Sequence, residues 1–289
     1  MNKYDAIIIG FGKGGKTLAG FLGKQGKKVA LIEKSEMMYG GTCINIGCIP
    51  TKRLVHKSKV ALYKKLNSFE EKAEEYRRAI EEKEELVKML RGKNYNMLDN
   101  NENITIYTGT ASFISNTEVE IYTEDRKLII EGEKIFINTG ATTVIPNIPG
   151  INDSKRIYTS TDILNLKELP KHLVIVGGGY IGLEFSSIYA SFGSKVTVIE
   201  SGDRLAKRED EEISTNIKEI LEKKGVTFVL NSNVKAFENQ GDEVEVTYVD
   251  TLNNSEVKIK GDAVLIATGR KPNIEGLNLE AAGVKITER

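Results

Sequence analysis

Hydrophobic positions change their spacing several times along this chain. Asp5-Ala6-Ile7-Ile8-Ile9 is a nearly continuous apolar run, the pattern of a strand buried on both faces. The cluster Gly10-Phe11-Gly12-Lys13-Gly14-Gly15 follows directly, then a helix-like stretch from Lys16 to Gly23. Lys28-Val29-Ala30-Leu31-Ile32 predicts the next strand and ends in Glu33. Between 56 and 98 the spacing lengthens. Leu62, Leu66, Phe69, Ala73, Tyr76 and Ile80, with Val87 and Leu90 beyond, recur about every 3.5 residues and predict a long amphipathic helix or a helical pair. Ser68-Phe69-Glu70-Glu71 is a capping-box pattern at which a helix can restart. Glu74–Arg78 and Glu84–Lys88 are spaced to pair along the solvated face. From Ile104 the period falls to two, predicting short strands over 104–107, 118–122, 127–130 and 134–137.

Pro146, Pro149 and Gly150, followed by Asn152-Asp153-Ser154, mark a linker. The opening pattern then recurs. Leu173–Val176 leads into Gly177-Gly178-Gly179-Tyr180-Ile181-Gly182, and Lys195–Ile199 ends in Glu200. The interval from first glycine to acidic residue is 23 in both copies, an internal duplication. Each copy reads strand, Gly-x-Gly-x-x-Gly, helix, strand, carboxylate, which is the dinucleotide-binding pattern in its required setting. Gly10 permits the turn, Gly12 admits a diphosphate to the backbone, and Gly15 lets helix and strand approach. Glu33 is placed for a ribose hydroxyl pair. Glu200 would accept bonds from both ribose hydroxyls and repel a 2′-phosphate, which favours NADH over NADPH, with Arg204 nearby softening the preference. Ile213, Ile217, Ile220 and Leu221 predict an amphipathic helix ending at Gly225, then a strand over Val226–Leu230. A meander near 233–238, 242–249 and 255–260 and a strand at Ala263–Ala267 follow.

The chain has 40% hydrophobic and 28% charged residues and no net charge, so no field favours nucleic acid or an anionic membrane. No apolar run reaches the ~20 residues of a membrane span. Met1-Asn2-Lys3-Tyr4 runs straight into a strand, which leaves no room for a signal peptide. Two cysteines do not make a secreted disulfide scaffold, and a cytoplasmic setting suits a working dithiol. Cys43 and Cys48 lie five positions apart in Gly40-Gly41-Thr42-Cys43-Ile44-Asn45-Ile46-Gly47-Cys48-Ile49-Pro50-Thr51-Lys52. Their side chains can meet if the first turn is tight or irregular. A helix N-terminus and Lys52 would both lower a thiol pKa, so an exchangeable disulfide fits here, alongside the alternative of two buried structural cysteines. With His56 and His172 distant, no zinc-ligand spacing is present, and no metal site is expected.

The Gly40–Lys52 run, together with Gly10–Gly15, resembles the signature of the class I flavin-dependent pyridine nucleotide–disulfide oxidoreductases. That family includes dihydrolipoamide dehydrogenase, mercuric reductase and a reactive-chlorine-resistance branch. Asn138-Thr139-Gly140 is similar to the family's Ala-Thr-Gly, with asparagine in place of alanine. Thr268-Gly269-Arg270-Lys271-Pro272-Asn273 resembles its second such signature. The resemblance implies an α/β fold of two Rossmann-like domains, each with a small β-meander, and a long helical insertion. It places an FAD-binding domain at 1–147 with a helical excursion about 53–98, an NAD(P)-binding domain at 148–268, and a return into the first at 269–289. It implies FAD held by Gly10, Gly12, Gly15, Glu33, Lys34, Gly41, Thr42, Lys52, Ala111, Thr139 and Gly140. NADH, or less favourably NADPH, would be held by Gly177, Gly179, Tyr180, Ile181, Gly182, Glu200, Val234 and Gly269.

By the same resemblance Cys48 is the flavin-proximal thiol and Cys43 the exchanging one. Lys52 sits near flavin N5 with Glu184 as its partner, and Tyr180 covers the nicotinamide pocket. Electrons would pass from NAD(P)H through FAD to the Cys43–Cys48 disulfide and on to a disulfide, a dihydrolipoamide-type substrate or a metal ion such as Hg(II) or Cu(II). The family continues into a Gly-Asp motif and a C-terminal dimerisation domain that carries a His–Glu pair, neither of which is matched before Arg289. That implies a truncated chain with weaker FAD binding, a homodimer weakened or lost, and poor turnover. The alternative is a non-catalytic dinucleotide-binding module or redox sensor.

Overall fold

The structure, a computed structural model, describes residues 2–287. In chain order its elements begin β1 Asn2–Ile9, α1 Lys13–Lys24, β2 Val29–Glu33, α2 Gly41–Asn45, α3 Cys48–Tyr63, α4 Phe69–Asp99, β3 Ile104–Thr108, β4 Thr110–Phe113, β5 Glu118–Tyr122, β6 Lys127–Ile137 and β7 Ala141–Thr143. They continue β8 Ile157–Thr159, β9 His172–Val176, α5 Tyr180–Phe192, β10 Lys195–Ile199, α6 Glu211–Glu222, β11 Val226–Val229, β12 Ser232–Asn239, β13 Val244–Asp250, β14 Ser255–Gly261, β15 Ala263–Ile266 and β16 Arg270–Pro272. The chain divides into two compact units. The first is Met1–Ile49, Glu85–Thr142 and Pro272–Arg289, and the second is Pro50–Glu84 and Thr143–Lys271.

The first unit is a six-stranded sheet in the order β3-β2-β1-β6-β5-β4. β1 runs parallel to β2 and β6, while β5 is antiparallel to both β6 and β4. Alternate residues of β1 point to opposite faces. Ile7 and Ile9 pack with Val119, Ile121 and Ile130 on one face, and Ala6 and Ile8 with Ala19, Leu98 and Phe11 on the other. Burial on both faces is why the opening strand reads as an unbroken apolar run. The segments 127–130 and 134–137 are one strand rather than two, and the expected small meander is an extension of the main sheet. Glu131-Gly132-Glu133 looks like a turn in sequence. In the sheet Gly132 faces Tyr4 across the ladder, and its missing side chain leaves room for that of Ile7.

The second unit holds a five-stranded parallel sheet, β11-β10-β9-β15-β8, and a separate antiparallel sheet, β12-β13-β14. Val174, Val176, Ile199, Val264 and Ile266 of the parallel sheet pack against Phe237, Val244 and Val246 of the meander. Residues 50–84 cluster with this unit, not with the first as a helical excursion over 53–98 implies. The reason is aromatic packing. Tyr76 is fully buried, with ring centroids 5.7 Å from Tyr189 and 5.2 Å from Phe192 of α5. The Tyr76 hydroxyl donates to the Leu166 carbonyl at 2.7 Å and lies 2.9 Å from the Tyr189 hydroxyl. Burial pushes both phenols above their ordinary pKa.

The capping box at Ser68 forms in both directions. Glu71 N donates to Ser68 Oγ at 3.1 Å and Ser68 N to Glu71 Oε2 at 3.3 Å, which separates α3 from α4. Glu74 pairs with Arg78 at 3.2 Å, whereas Glu84 lies 3.8 Å from Lys83. Lys83 is buried on the face read as apolar, and desolvation lowers its pKa. Leu62 is exposed where the period predicts burial, and so are Ile213 and Ile220 of α6, which buries Leu221 as expected but turns Ser214 inward as well. β7 and β16 form a two-stranded sheet. Among the described residues no helix is long and apolar enough to cross a membrane.

Replacing Tyr76 with Phe removes the donor to the half-buried Leu166 carbonyl. Tyr76→Phe is expected to destabilise the second unit by about 1–3 kcal/mol in chemical denaturation.

Candidate redox and dinucleotide-binding sites

At the end of β1 the backbone turns through Gly10, whose φ of +109° lies in the left-handed region that favours glycine. A side chain on Gly10 would overlap the Asn138 carbonyl, and one on Gly15 would overlap the Gly10 carbonyl. α1 starts at Lys13, and its N-cap Gly12 offers no side chain to the open amides, which leaves an anion-binding helix end. Glu33 Oε2 accepts from Phe11 N at 2.9 Å, and Oε1 from Ser35 N at 3.4 Å. Burial raises the Glu33 carboxyl pKa, and these backbone bonds oppose the rise. Lys34 is exposed next to it, Ala111 is buried in β4 opposite Ile121, and the Gly140 carbonyl accepts from Asn273 N at 2.9 Å. Asn138, which precedes Thr139, does more than replace an alanine. Its Nδ2 donates to the Gly10 carbonyl at 3.1 Å and lies 3.0 Å from where a Gly12 Cβ would sit.

The dithiol stands on this turn. Gly40 and Gly41 both have positive φ, and a methyl group on Gly41 would overlap the Gly12 Cα. α2 therefore begins in backbone contact with the glycine turn. It closes with Ile46 N donating to the Thr42 carbonyl at 3.0 Å, and α3 starts afresh at Cys48. The cysteines belong to two short-spaced helices rather than to one distorted helix. Both are free thiols in this structure. A hydrogen bond with Cys48, then burial, push the Cys43 thiol up, while Lys13 and Lys16 pull it down. The net rise is opposite to the lowering that a helix terminus alone suggests. Buried Asn45 braces α2. Its Nδ2 donates to the Gly41 and Tyr39 carbonyls at 2.9 and 3.0 Å, and its Oδ1 accepts from Arg91 Nε of α4 at 2.8 Å.

In the second unit the same turn recurs, with Gly177 at φ +112° and Gly182 packed under the Gly177 carbonyl. Above it opens a cavity of about 630 Å³ lined by Gly177, Gly179, Tyr180, Ile181, Glu200, Val234 and Gly269. Arg204, Lys207 and Arg208, unremarked in sequence apart from Arg204, line it too. Glu200 is aimed by backbone amides, accepting from Gly178 N at 2.5 Å and Gly202 N at 2.8 Å. A Cβ on Gly179 would meet nothing within 4 Å, so this wall is open to a ligand. The exposed Tyr180 hydroxyl donates to Glu209 Oε1 at 2.5 Å, which raises its pKa. Lys52 Nζ and Glu184 Oε1, 132 positions apart, form an ion pair at 2.5 Å within this unit.

Two glycine turns with aimed carboxylates, one of them carrying a thiol pair, define a protein built for two dinucleotides and a dithiol. The sequence pattern of the pyridine nucleotide-disulphide oxidoreductase family matches residues 4–289, and the chain belongs to that family. Members bind FAD and NAD(P)H, and the open helix end at Gly12 and the open wall at Gly179 fit such groups. The chain is 48% identical over 289 residues to the probable pyridine nucleotide-disulfide oxidoreductase RclA of Escherichia coli, covering 100% of this chain and 62% of that protein. It is 36% identical to the mercuric reductase of Lysinibacillus sphaericus, covering 98% of this chain and 51% of the relative. It is likewise 36% identical to the dihydrolipoyl dehydrogenase of Geobacillus stearothermophilus, covering 99% and 60% respectively. A solved Cu(II) complex of the HOCl-induced flavoprotein disulfide reductase RclA from Escherichia coli superposes with a TM-score of 0.89 at 48% identity, covering 100% of this chain and 61% of that one. The chain thus spans between 51% and 62% of these relatives' length.

Restoring alanine at 138 removes the bond to Gly10. Asn138→Ala is expected to cost about 1 kcal/mol of stability, read by thermal or urea unfolding, and to weaken FAD retention by a similar free energy.

Proposed function

We propose that this chain is the electron-transferring portion of a flavin-dependent oxidoreductase that uses NAD(P)H to keep Cys43 and Cys48 reduced. The observation that carries this reading is the pair of free thiols, Cys43 and Cys48, on a segment whose Gly41 backbone meets Gly12 of the first glycine turn. Gly10, Gly12, Gly15, Glu33, Gly41 and Thr139 would hold FAD, and the cavity above Gly177 would take the pyridine nucleotide. Bound FAD would supply two-electron transfer between the nucleotide and the dithiol.

The remaining chemistry belongs to the chain. As the outer thiol, Cys43 ionises and attacks one sulfur of a substrate disulfide, releasing the other as a thiol. Cys48 then attacks the Cys43 sulfur, frees the second thiol and leaves a Cys43–Cys48 disulfide, so two electrons have moved to the substrate. A hydride equivalent from NAD(P)H and one solvent proton restore the dithiol. With a metal ion, two Cu(II) take one electron each, or one Hg(II) takes two. The Cu(II) complex of the RclA relative and the mercuric reductase relatives support the metal reading, and the dihydrolipoyl dehydrogenases the dithiol one. Lys52, set by Glu184, would stabilise negative charge on the reduced ring. Glu200 supports NADH over NADPH, because its carboxylate would oppose a 2′-phosphate.

The test is a single turnover. The oxidised chain is loaded with FAD, mixed anaerobically with NADH, and its thiols are counted. Two new thiols per chain are expected, and none in Cys48→Ser. A chain that binds NADH but leaves the disulfide intact would be a dinucleotide-binding module instead. Glu200→Ala is expected to narrow the NADH-over-NADPH preference severalfold in direct binding measurements.

A further inference from the structure

We propose that Lys16, fixed by Asn94 of α4, supplies together with Lys13 the positive charge against which the Cys43 sulfur ionises, and that it draws anionic partners to that sulfur. The inference deepens the exchange role given to Cys43, but its test reads the thiol alone.

α1 carries Lys13 and Lys16 in its first turn and no acidic residue there. Cations at a helix N-terminus oppose the macrodipole, so two of them in one turn call for a compensating negative group. Gly10 to Thr17 also satisfies the phosphate-loop pattern Gly-x4-Gly-Lys-Thr. Here, however, α1 starts at Lys13, and Lys16 Nζ donates to Asn94 Oδ1 on α4 instead of reaching back over the loop. Asn94 is 5% exposed, and its Nδ2 is spent on the Leu90 carbonyl at 2.7 Å. Its carboxamide carbon lies 3.4 Å from where a Gly40 Cβ would sit, at the cap of the helix that bears Cys43. Asn94 therefore anchors the lysine beside the dithiol turn, and the backbone contact between Gly12 and Gly41 closes the distance from the other side.

Among the described residues, the groups that shift the Cys43 thiol are Cys48 at the start of α3 and Lys13 and Lys16 on α1. The other cation delivered by α4, Arg91, donates to Asn45. Cys48 and burial disfavour the Cys43 thiolate, and the two lysines favour it. Lys16, partly desolvated and repelled by Lys13, is in turn favoured as a cation by Cys43. Lys16 and Cys43 each stabilise the other's charged form.

The experiment uses a Cys48→Ser background, in which Cys43 is the sole thiol, and two probes: neutral iodoacetamide and anionic iodoacetate. Lys16→Met is expected to move the alkylation pH profile upward, slowing iodoacetamide roughly three- to tenfold at neutral pH. At high pH the iodoacetamide rates should converge, while iodoacetate stays slower in the variant. Lys16→Arg should restore both, and Asn94→Ala should give a partial shift. Superimposed profiles for the parent and Lys16→Met would overturn the proposal, including the case in which Lys16→Met lowers only FAD affinity. Should Lys16→Met not fold, the iodoacetate-to-iodoacetamide rate ratio of the parent decides the matter. It must fall as ionic strength rises, and a flat ratio overturns the proposal.

Discussion

The approach of two backbones, Gly41 onto Gly12, is the constraint on which the first site depends. No side chain separates them, so α2 takes its position from the same turn that ends β1 and starts α1. A thiol has to be held within a fraction of an ångström to exchange with its neighbour, and side-chain packing alone rarely fixes a loop so closely. Here the dithiol inherits the rigidity of the parallel strands at the centre of the first sheet. The strand buried on both faces holds the turn, the turn holds α2, and α2 presents Cys43 to Cys48.

Much of this is legible in sequence because it rests on local rules. Gly10 and Gly177 announce themselves through the strands before them and the carboxylates after them. Ser68 and Glu71 state their own cap. The meander of the second unit shows as alternation broken by turn residues. Other features depend on partners remote in the chain. The division of the helical segment at Glu84 follows from Tyr76 meeting Tyr189, 113 positions away, which no periodicity encodes. Gly132 suggested a break in β6, although its missing side chain serves the packing of Ile7. Ile213 and Ile220 fit a helical period and still face solvent.

The dithiol surroundings were the least legible part. Asn45, Arg91 and Asn94 carry no motif, and two of them lie on a helix read mainly as a solvated charge run. Their role comes from tertiary placement: α4 brings one guanidinium and one carboxamide to α2 and α1. Polar side chains in the interior keep to partners they can satisfy, so Asn45 and Asn94, both buried and bonded on each side of their amides, stiffen the turn as no apolar pair could.

The duplication is not symmetrical. Asn138 stitches its amide to the first glycine turn, while Ala267, at the matching place of the second, has no side chain with which to do so. A turn stiffened beforehand loses little freedom when a ligand settles on it; an unstitched one must be quieted by the ligand itself. Of the two duplicated turns, one is thereby set before any ligand arrives, and the other is left for its ligand to set.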